Sequence, residues 1–243
     1  MVKQWQKELI DSANPEKIKI LSSFFKTGKG QYGEGDRFIG LTVPDNRAIA
    51  RRYATLPLSD ISTMLQSPIH EFRLSGFLAL VEKFKNARKD EKKRAEIVKF
   101  YLKNATRANN WDLVDLSAPK ILGSYLIKHP DSQLLDTLSY SDNLWEQRIA
   151  IVCTMALIAN HQYDDTLRLA ERYISHPHEL IHKATGWMLR EVGKKGGRDL
   201  LLSFLDRNAH KMPRTALRYA IEHFDENLRR YHMNKKKQII KPQ

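Results

Sequence analysis

Apolar residues recur along this chain at the three- and four-residue spacing of amphipathic helices, and strict alternation is hard to find. The pattern predicts an all-α protein with no convincing strand. Asn14-Pro15-Glu16 supplies a capping side chain, a proline at the first helical position and an acid in the first turn. Ser67-Pro68 repeats that signal, and Pro44, Pro119 and Pro213 also fit helix starts. Leu74-Ser-Gly-Phe-Leu-Ala-Leu-Val81 is apolar enough for an inner helix. The longest apolar run, 149–158, is too short to span a bilayer.

A weak internal repeat organises these helices. Glu71-Phe72-Arg73-Leu74-Ser75, Glu146-Gln147-Arg148-Ile149-Ala150, Ile181-His182-Lys183-Ala184-Thr185 and Met212-Pro213-Arg214-Thr215-Ala216 each set a basic residue before a small or apolar helical run. With Trp111-Asp112 between the first two, the steps from 73 to 112, 148, 183 and 214 are 39, 36, 35 and 31 residues. That spacing suits the stacked helix pairs of a HEAT-like α-solenoid, in which no pair buries its apolar stripe alone. Stacking would align the basic slots into a positive stripe able to track a phosphate backbone. The competing reading has them capping or bridging neighbouring helices. No linker demands a second domain, so one repeat domain over 1–243 is expected. Its basic end, Arg229 to Lys237 within a tail at about 229–243, is read as frayed.

Charge narrows the partner. The chain carries a formal net charge of +13 with 42% hydrophobic and 28% charged residues. An excess of Lys and Arg points to nucleic acid, because neutralising phosphates releases counterions; a solvated basic surface is the plainer alternative. The single cysteine, Cys153, excludes an internal disulfide framework and sits in the apolar run, where packing is its expected role. Met1–Ile10 is charged throughout and lacks the apolar centre of a signal peptide. A cytoplasmic protein, associated with the nucleoid through DNA, is expected, with no membrane partner and as a monomer.

Two motifs tempt and fail. Gly28-Lys-Gly30-Gln-Tyr-Gly33 matches G-x-G-x-x-G, but a helix precedes it where a strand is required. A flexible loop near nucleic acid fits it better. His178-Glu179-Leu180-Ile181-His182 matches the zinc motif H-E-x-x-H, yet no third ligand follows at family spacing, and Lys183 disfavours a dication. No metal and no cofactor is expected. Asn110-Trp111-Asp112-Leu113-Val114-Asp115 is more informative. Trp111 and Asp115, at i,i+4, lie on nearly one helical face. Asp112 and Asp115 are also neighbours, so spacing alone does not choose between the acids. The plainer reading makes Trp111 and Trp187 core indoles and Asp115 a cap or salt-bridge partner.

Together, Trp111-Asp-Leu-Val-Asp115, Ser141-Asp-Asn-Leu-Trp-Glu-Gln-Arg148 and Lys183-Ala-Thr-Gly-Trp187-Met-Leu-Arg190-Glu191 resemble the DNA alkylation repair glycosylases built of HEAT-like repeats, the AlkD-like family. Gly30–Gly40 and Val43-Pro44 resemble that family's first loop, and the likeness runs from about residue 14 to about residue 225. The resemblance implies a C-shaped solenoid whose basic concave face holds duplex DNA, and excision of purines alkylated at N3 or N7. By that resemblance Asp115 is the catalytic carboxylate. Trp111 and Trp187 are aromatics at the lesion nucleotide. Arg148 is a nearby DNA-contacting cation, and Lys183 and Arg190 join it as DNA-binding. Phe24 falls where the family usually has a tyrosine, so a hydroxyl is missing there.

The chemistry fits these residue types. An N3- or N7-alkylated purine is cationic and leaves as a neutral base, without the general acid an ordinary glycoside needs. A fixed carboxylate stabilises the oxocarbenium-like sugar and can orient or deprotonate water. Indole faces attract the same cation by roughly 0.5–2 kcal/mol each. The alternatives are a non-catalytic solenoid that binds nucleic acid or protein and, further off, a zinc hydrolase.

Overall fold

The computed structural model describes residues 1–238. Every named element among them is helical, and the single β-type pairing is an isolated parallel bridge between Arg37 and Ile69. None of the described helices is long and apolar enough to cross a membrane. The helices pack in sequential neighbours, as in an α-solenoid. The chain falls into two compact units, Met1–Tyr125 and Leu126–Gln243.

The first unit holds α1 (Val2–Asp11), α2 (Ile18–Phe24), α3 (Val43–Arg52), α4 (Leu58–Leu65), α5 (His70–Asn86), α6 (Glu91–Lys103) and α7 (Trp111–Ser117). Its axis is α5, buried continuously from His70 to Val81. The run Leu74–Val81 is buried as its composition predicts, and the polar His70, Glu71 and Arg73 are buried with it. α3, α4 and α7 pack on it. Gly76 admits α4, since a Cβ there would meet the Leu65 side chain at 2.8 Å. Trp5 of α1 is fully buried, stacks on Tyr53 at 5.0 Å and donates its indole N–H to Ser75 Oγ at 2.9 Å.

The short α8 (Ser124–Leu126) leads into the second unit. There α9 (Ser132–Ser139), α10 (Leu144–Val152), α11 (Met155–Ile158), α12 (Asp164–Arg172), α13 (Glu179–Lys194), α14 (Arg198–Asn208), α15 (Arg214–Ala220) and α16 (Glu226–Gln238) follow. α13 is the central helix, touched by α10, α12, α14 and α15. Leu189, Leu205 and Leu217 from three of these helices meet in its core. Gly186 brings α15 against α13: a Cβ would lie 2.3 Å from the Ala216 carbonyl oxygen.

Helix starts follow the proline signals with small shifts. Asn14 Oδ1 accepts from the Glu16 N–H at 3.0 Å ahead of a 3-10 turn, Pro15–Lys17. After Ser67-Pro68 the helix begins only at His70, and Ser67 Oγ accepts from the Ile69 N–H at 3.0 Å. The basic slots behave differently from the expected open stripe. Arg73 is buried and donates to the Ser67 carbonyl at 2.9 Å. Arg148 is buried and donates to the Leu180 carbonyl at 2.5 Å. Arg214 donates to the Met233 carbonyl at 2.6 Å, and Lys183 pairs with Glu179 at 2.9 Å. Arg148 and Arg214 thus bridge helices and Arg73 ties α5 to the loop before it, because each carbonyl taken out of water needs a donor, while Lys183 pairs within its own helix. The tail differs as well. Up to Gln238 it is helix, with Lys235 paired to Asp206 at 2.6 Å and His232 buried against Phe224. Residues 239–243 of that tail lie outside the described residues.

Candidate functional site

The short helix α7 is set from both ends. Asn110 is extended (φ −153, ψ 157), and its Oδ1 accepts from the Trp111 N–H at 2.9 Å. At the other end Pro119 lacks the N–H that a continuing helix would give to the Asp115 carbonyl. The chain turns instead through a π-helical segment, Pro119–Gly123, with the Gly123 N–H on the Ala118 carbonyl at 3.0 Å. Such segments often accompany functional positions.

The two acids that spacing left equivalent are distinguished by burial. Asp112 is only 4% exposed and accepts from His70 Nε2 at 2.9 Å. Asp115 is half-buried, on the face it shares with half-buried Trp111. Trp111 stacks on Phe25 at 5.3 Å and meets Phe24 edge-on at 5.7 Å. Phe24 is 59% exposed. One turn earlier on α2, Ile20 is exposed too, and Lys17, Lys19, Lys26 and Lys29, close by in the chain, are exposed as well.

Beneath α7 lies a buried charge network. His70, the first residue of α5, is 1% exposed. Its Nδ1 lies 3.2 Å from Asp36 Oδ2. Asp36 also accepts from Arg73 Nη2 at 2.5 Å and from Asn109 Nδ2 at 3.1 Å. The imidazole stacks on Phe38 at 4.6 Å and meets Phe25 at a tilt at 4.9 Å, and the two phenylalanines stack on each other at 5.2 Å. A neutral imidazole has one N–H, so it would turn a lone pair toward one of the two carboxylates; the imidazolium donates to both. Burial pushes the His70 imidazole down, but the Asp112 charge and the hydrogen bonds to Asp112 and Asp36 outweigh it and raise it to about 9. Burial likewise pushes the Asp36 carboxyl up, and the His70 hydrogen bond with the Arg73 charge brings it below its ordinary value.

The glycine-rich segment is built around this network and bound at both ends. Glu71, 1% exposed, accepts from the Ile39, Gly40 and Leu41 N–H groups at 3.1, 2.9 and 3.2 Å. Gly40 (φ +88) passes so close to Asn14 that a Cβ would sit 1.9 Å from its carbonyl oxygen. The Gly33 N–H donates to the Lys26 carbonyl at 3.0 Å. Where the sequence suggested a flexible loop, the structure has a tied one whose role is to deliver Asp36.

In the second unit, Lys183, Trp187 and Arg190 fall on one face of α13 at i, i+4 and i+7, all half-buried. Arg190 pairs with Glu191 at 3.1 Å and with Glu222. Arg148, through Leu180, ties α10 to the first turn of this helix. The H-E-x-x-H histidines are engaged locally: His178 Nδ1 caps α13 by accepting from the Leu180 N–H at 3.1 Å, and His182 Nε2 contacts the His176 carbonyl. Among the described residues no three His, Cys, Asp or Glu side chains come together around a possible ion. Cys153 is fully buried, and burial pushes its thiol well up.

Sequence reasoning missed His70, Asp36, Phe25, Phe38 and Glu71. His70 stands 34 residues from Asp36 and 42 from Asp112. No local pattern links the three. The available signal was one of charge: acids at 36 and 112 in a basic chain, and a histidine at a predicted helix start.

The family model described as DNA alkylation repair enzyme matches residues 5–224. The chain belongs to the DNA alkylation repair enzyme family. That membership assigns it to DNA repair. A solved structure described as "Predicted DNA alkylation repair enzyme from Enterococcus faecalis" superposes with a TM-score of 0.66. It is 18% identical, and the match covers 88% of this chain and 98% of that one. At that identity the likeness establishes the shared helical fold. No curated protein matched the chain.

Proposed function

We propose that this member of the family is a monofunctional DNA glycosylase that excises cationic N3- or N7-alkylated purines from duplex DNA. The observation that carries the reading is α7: a half-buried carboxylate and a half-buried indole on one helical face, next to the exposed Phe24–Ile20 ridge and its lysines. Asp112 lies buried beneath α7 against His70, whereas Asp115 lies on the Trp111 face, and the chemistry is assigned to Asp115 on that ground. As the bond to a positively charged purine breaks, the base leaves neutral and positive charge grows on the sugar. Asp115 stabilises that charge and orients the attacking water. The Trp111 face adds cation–π attraction and excludes water. Phe24 and the lysines contact the duplex by packing and charge. Trp187, Lys183 and Arg190 form the second unit's DNA-binding set on α13. Arg148 acts mainly by holding that helix. The protein works as a monomer in the compartment that holds the DNA.

The test is release of free 7-methylguanine from an alkylated duplex, with DNA affinity measured in parallel. Asp115→Asn is expected to lower release at least about 100-fold, in the range seen when an electrostatic stabiliser is removed, with affinity near that of the unaltered protein. Undiminished release would remove Asp115 from the chemistry. Absence of release by the unaltered protein, with affinity intact, would favour a binding scaffold.

A further inference from the structure

We infer that His70 is a positioning residue for this reaction: clamped as an imidazolium between Asp36 of the glycine-rich segment and Asp112 of α7, it fixes the orientation in which α7 presents Trp111 and Asp115. The inference deepens the glycosylase reading and rests on it only for its catalytic consequence. α7 is seven residues long, too short to hold itself in water. Its orientation must come from outside, and the polar tie from its first turn runs to His70. Asn109 and Asn110, just before α7, bond to Asp36 at 3.1 and 3.5 Å, so the same carboxylate holds the approach to the helix. The clamp is continuous with the aromatic wall: Phe25 contacts both the His70 ring at 4.9 Å and the Trp111 ring at 5.3 Å.

Charge makes the clamp stiff. His70 and Arg73 are two buried cations against two buried anions, Asp36 and Asp112, so the set is neutral only while the imidazole is protonated. Arg107 is the other cation acting on this set, through Arg73, and the remaining surfaces on the ring are Phe25 and Phe38. Losing the proton would leave an uncompensated buried anion and one carboxylate facing a lone pair. Asp112 would then be released, and α7 would lose its tie.

The test uses the full chain carrying His70→Gln together with Asp112→Asn. This pair removes one cation and one anion, keeps the Asp36–Arg73 pair and leaves amides able to hydrogen-bond, so folding is retained; His70→Gln alone leaves a bare buried anion. Two readouts are taken. The first is the single-turnover rate of 7-methylguanine release with duplex affinity alongside. The second is the NMR resonance of the Trp111 indole N–H, assigned by its absence in Trp111→Phe. The expected result is a release rate lower by about 10- to 100-fold, the cost of misplacing a reacting group by about an ångström, with unchanged duplex affinity and a displaced Trp111 resonance. The Trp145 and Trp187 resonances stay in place. An unchanged release rate, or an unmoved Trp111 resonance, overturns the inference. If the unaltered protein releases no base at all, the glycosylase reading fails by itself, and the Trp111 resonance alone decides whether the clamp orients α7.

Discussion

Raising the pH from 6.5 to 9.5 removes the proton that balances the buried network under α7, and the stability of the Met1–Tyr125 unit should fall with it. The magnitude follows from the structure. His70 is raised from its ordinary 6.5 to about 9, and each pH unit of displacement corresponds to about 1.4 kcal/mol. The network therefore contributes about 3 kcal/mol that depends on the proton. The sign is that of a group whose folded form holds its proton more tightly. Below 6.5 both folded and unfolded chains carry the proton, and the contribution is complete. Between 6.5 and 9 it declines, and above 9 it is gone. Among the other shifted groups, burial lowers Lys83 and Lys120, whose deprotonation on the alkaline side works against the His70 loss, and burial raises the Cys153 thiol, which adds to the loss there; the double variant carries all three unchanged and so serves as the control. Burial pushes His176, His178 and His232 below their ordinary value, so they titrate on the acid side. Burial and Glu8 push Tyr53 up to about 12, beyond the alkaline side. The assay is urea unfolding followed by Trp5 and Trp111 fluorescence, with Trp145 and Trp187 replaced by phenylalanine so that the signal reports the first unit. The expected loss is about 3 kcal/mol between pH 6.5 and 9.5, a large part of an ordinary domain's stability. The doubly substituted His70→Gln, Asp112→Asn chain should lose almost nothing over the same interval. A flat profile in the unaltered protein, or an equal decline in the double variant, would refute the assignment of a buried imidazolium.

Two further outcomes follow from the packing. Glu71→Ala orphans three main-chain N–H groups at Ile39, Gly40 and Leu41; it should cost about 3 kcal/mol or more by the worth of hydrogen bonds to a charged acceptor, read as a lowered melting temperature with faster hydrogen exchange at those amides. Gly186→Ala drives a methyl to 2.3 Å from the Ala216 carbonyl oxygen. The substitution should force α15 off α13 and destabilise the second unit by about 1–3 kcal/mol, as overpacking does. An unchanged urea midpoint would mean that the two helices can separate at no cost.

Much of the fold was legible because it rests on local signals. Helical periodicity needs only neighbouring residues, and the run Leu74–Val81 expected to form an inner helix falls within buried α5. Capping is equally local, which is why Asn14 and Pro15 start a helical turn where expected. Charge was harder. A repeat that steps by 31 to 39 positions and is basic at Arg73, Arg148, Lys183 and Arg214 is compatible with an open stripe and with internal bridges, and the sequence does not show whether a carbonyl lies within reach. Arg73, Arg148 and Arg214 each found one. The Trp111–Asp115 pairing was legible as a helical face, but the choice between Asp112 and Asp115 was not. What separates the two acids is that Asp112 is buried against His70, 42 residues away in the chain. The glycine-rich segment shows the same limit: its glycines read as freedom, whereas Gly40 is there because nothing larger fits beside Asn14. Local pattern thus placed the helix that carries the proposed chemistry. What orients that helix is a set of tertiary ion pairs, and these follow from which surfaces fold together rather than from any spacing along the chain.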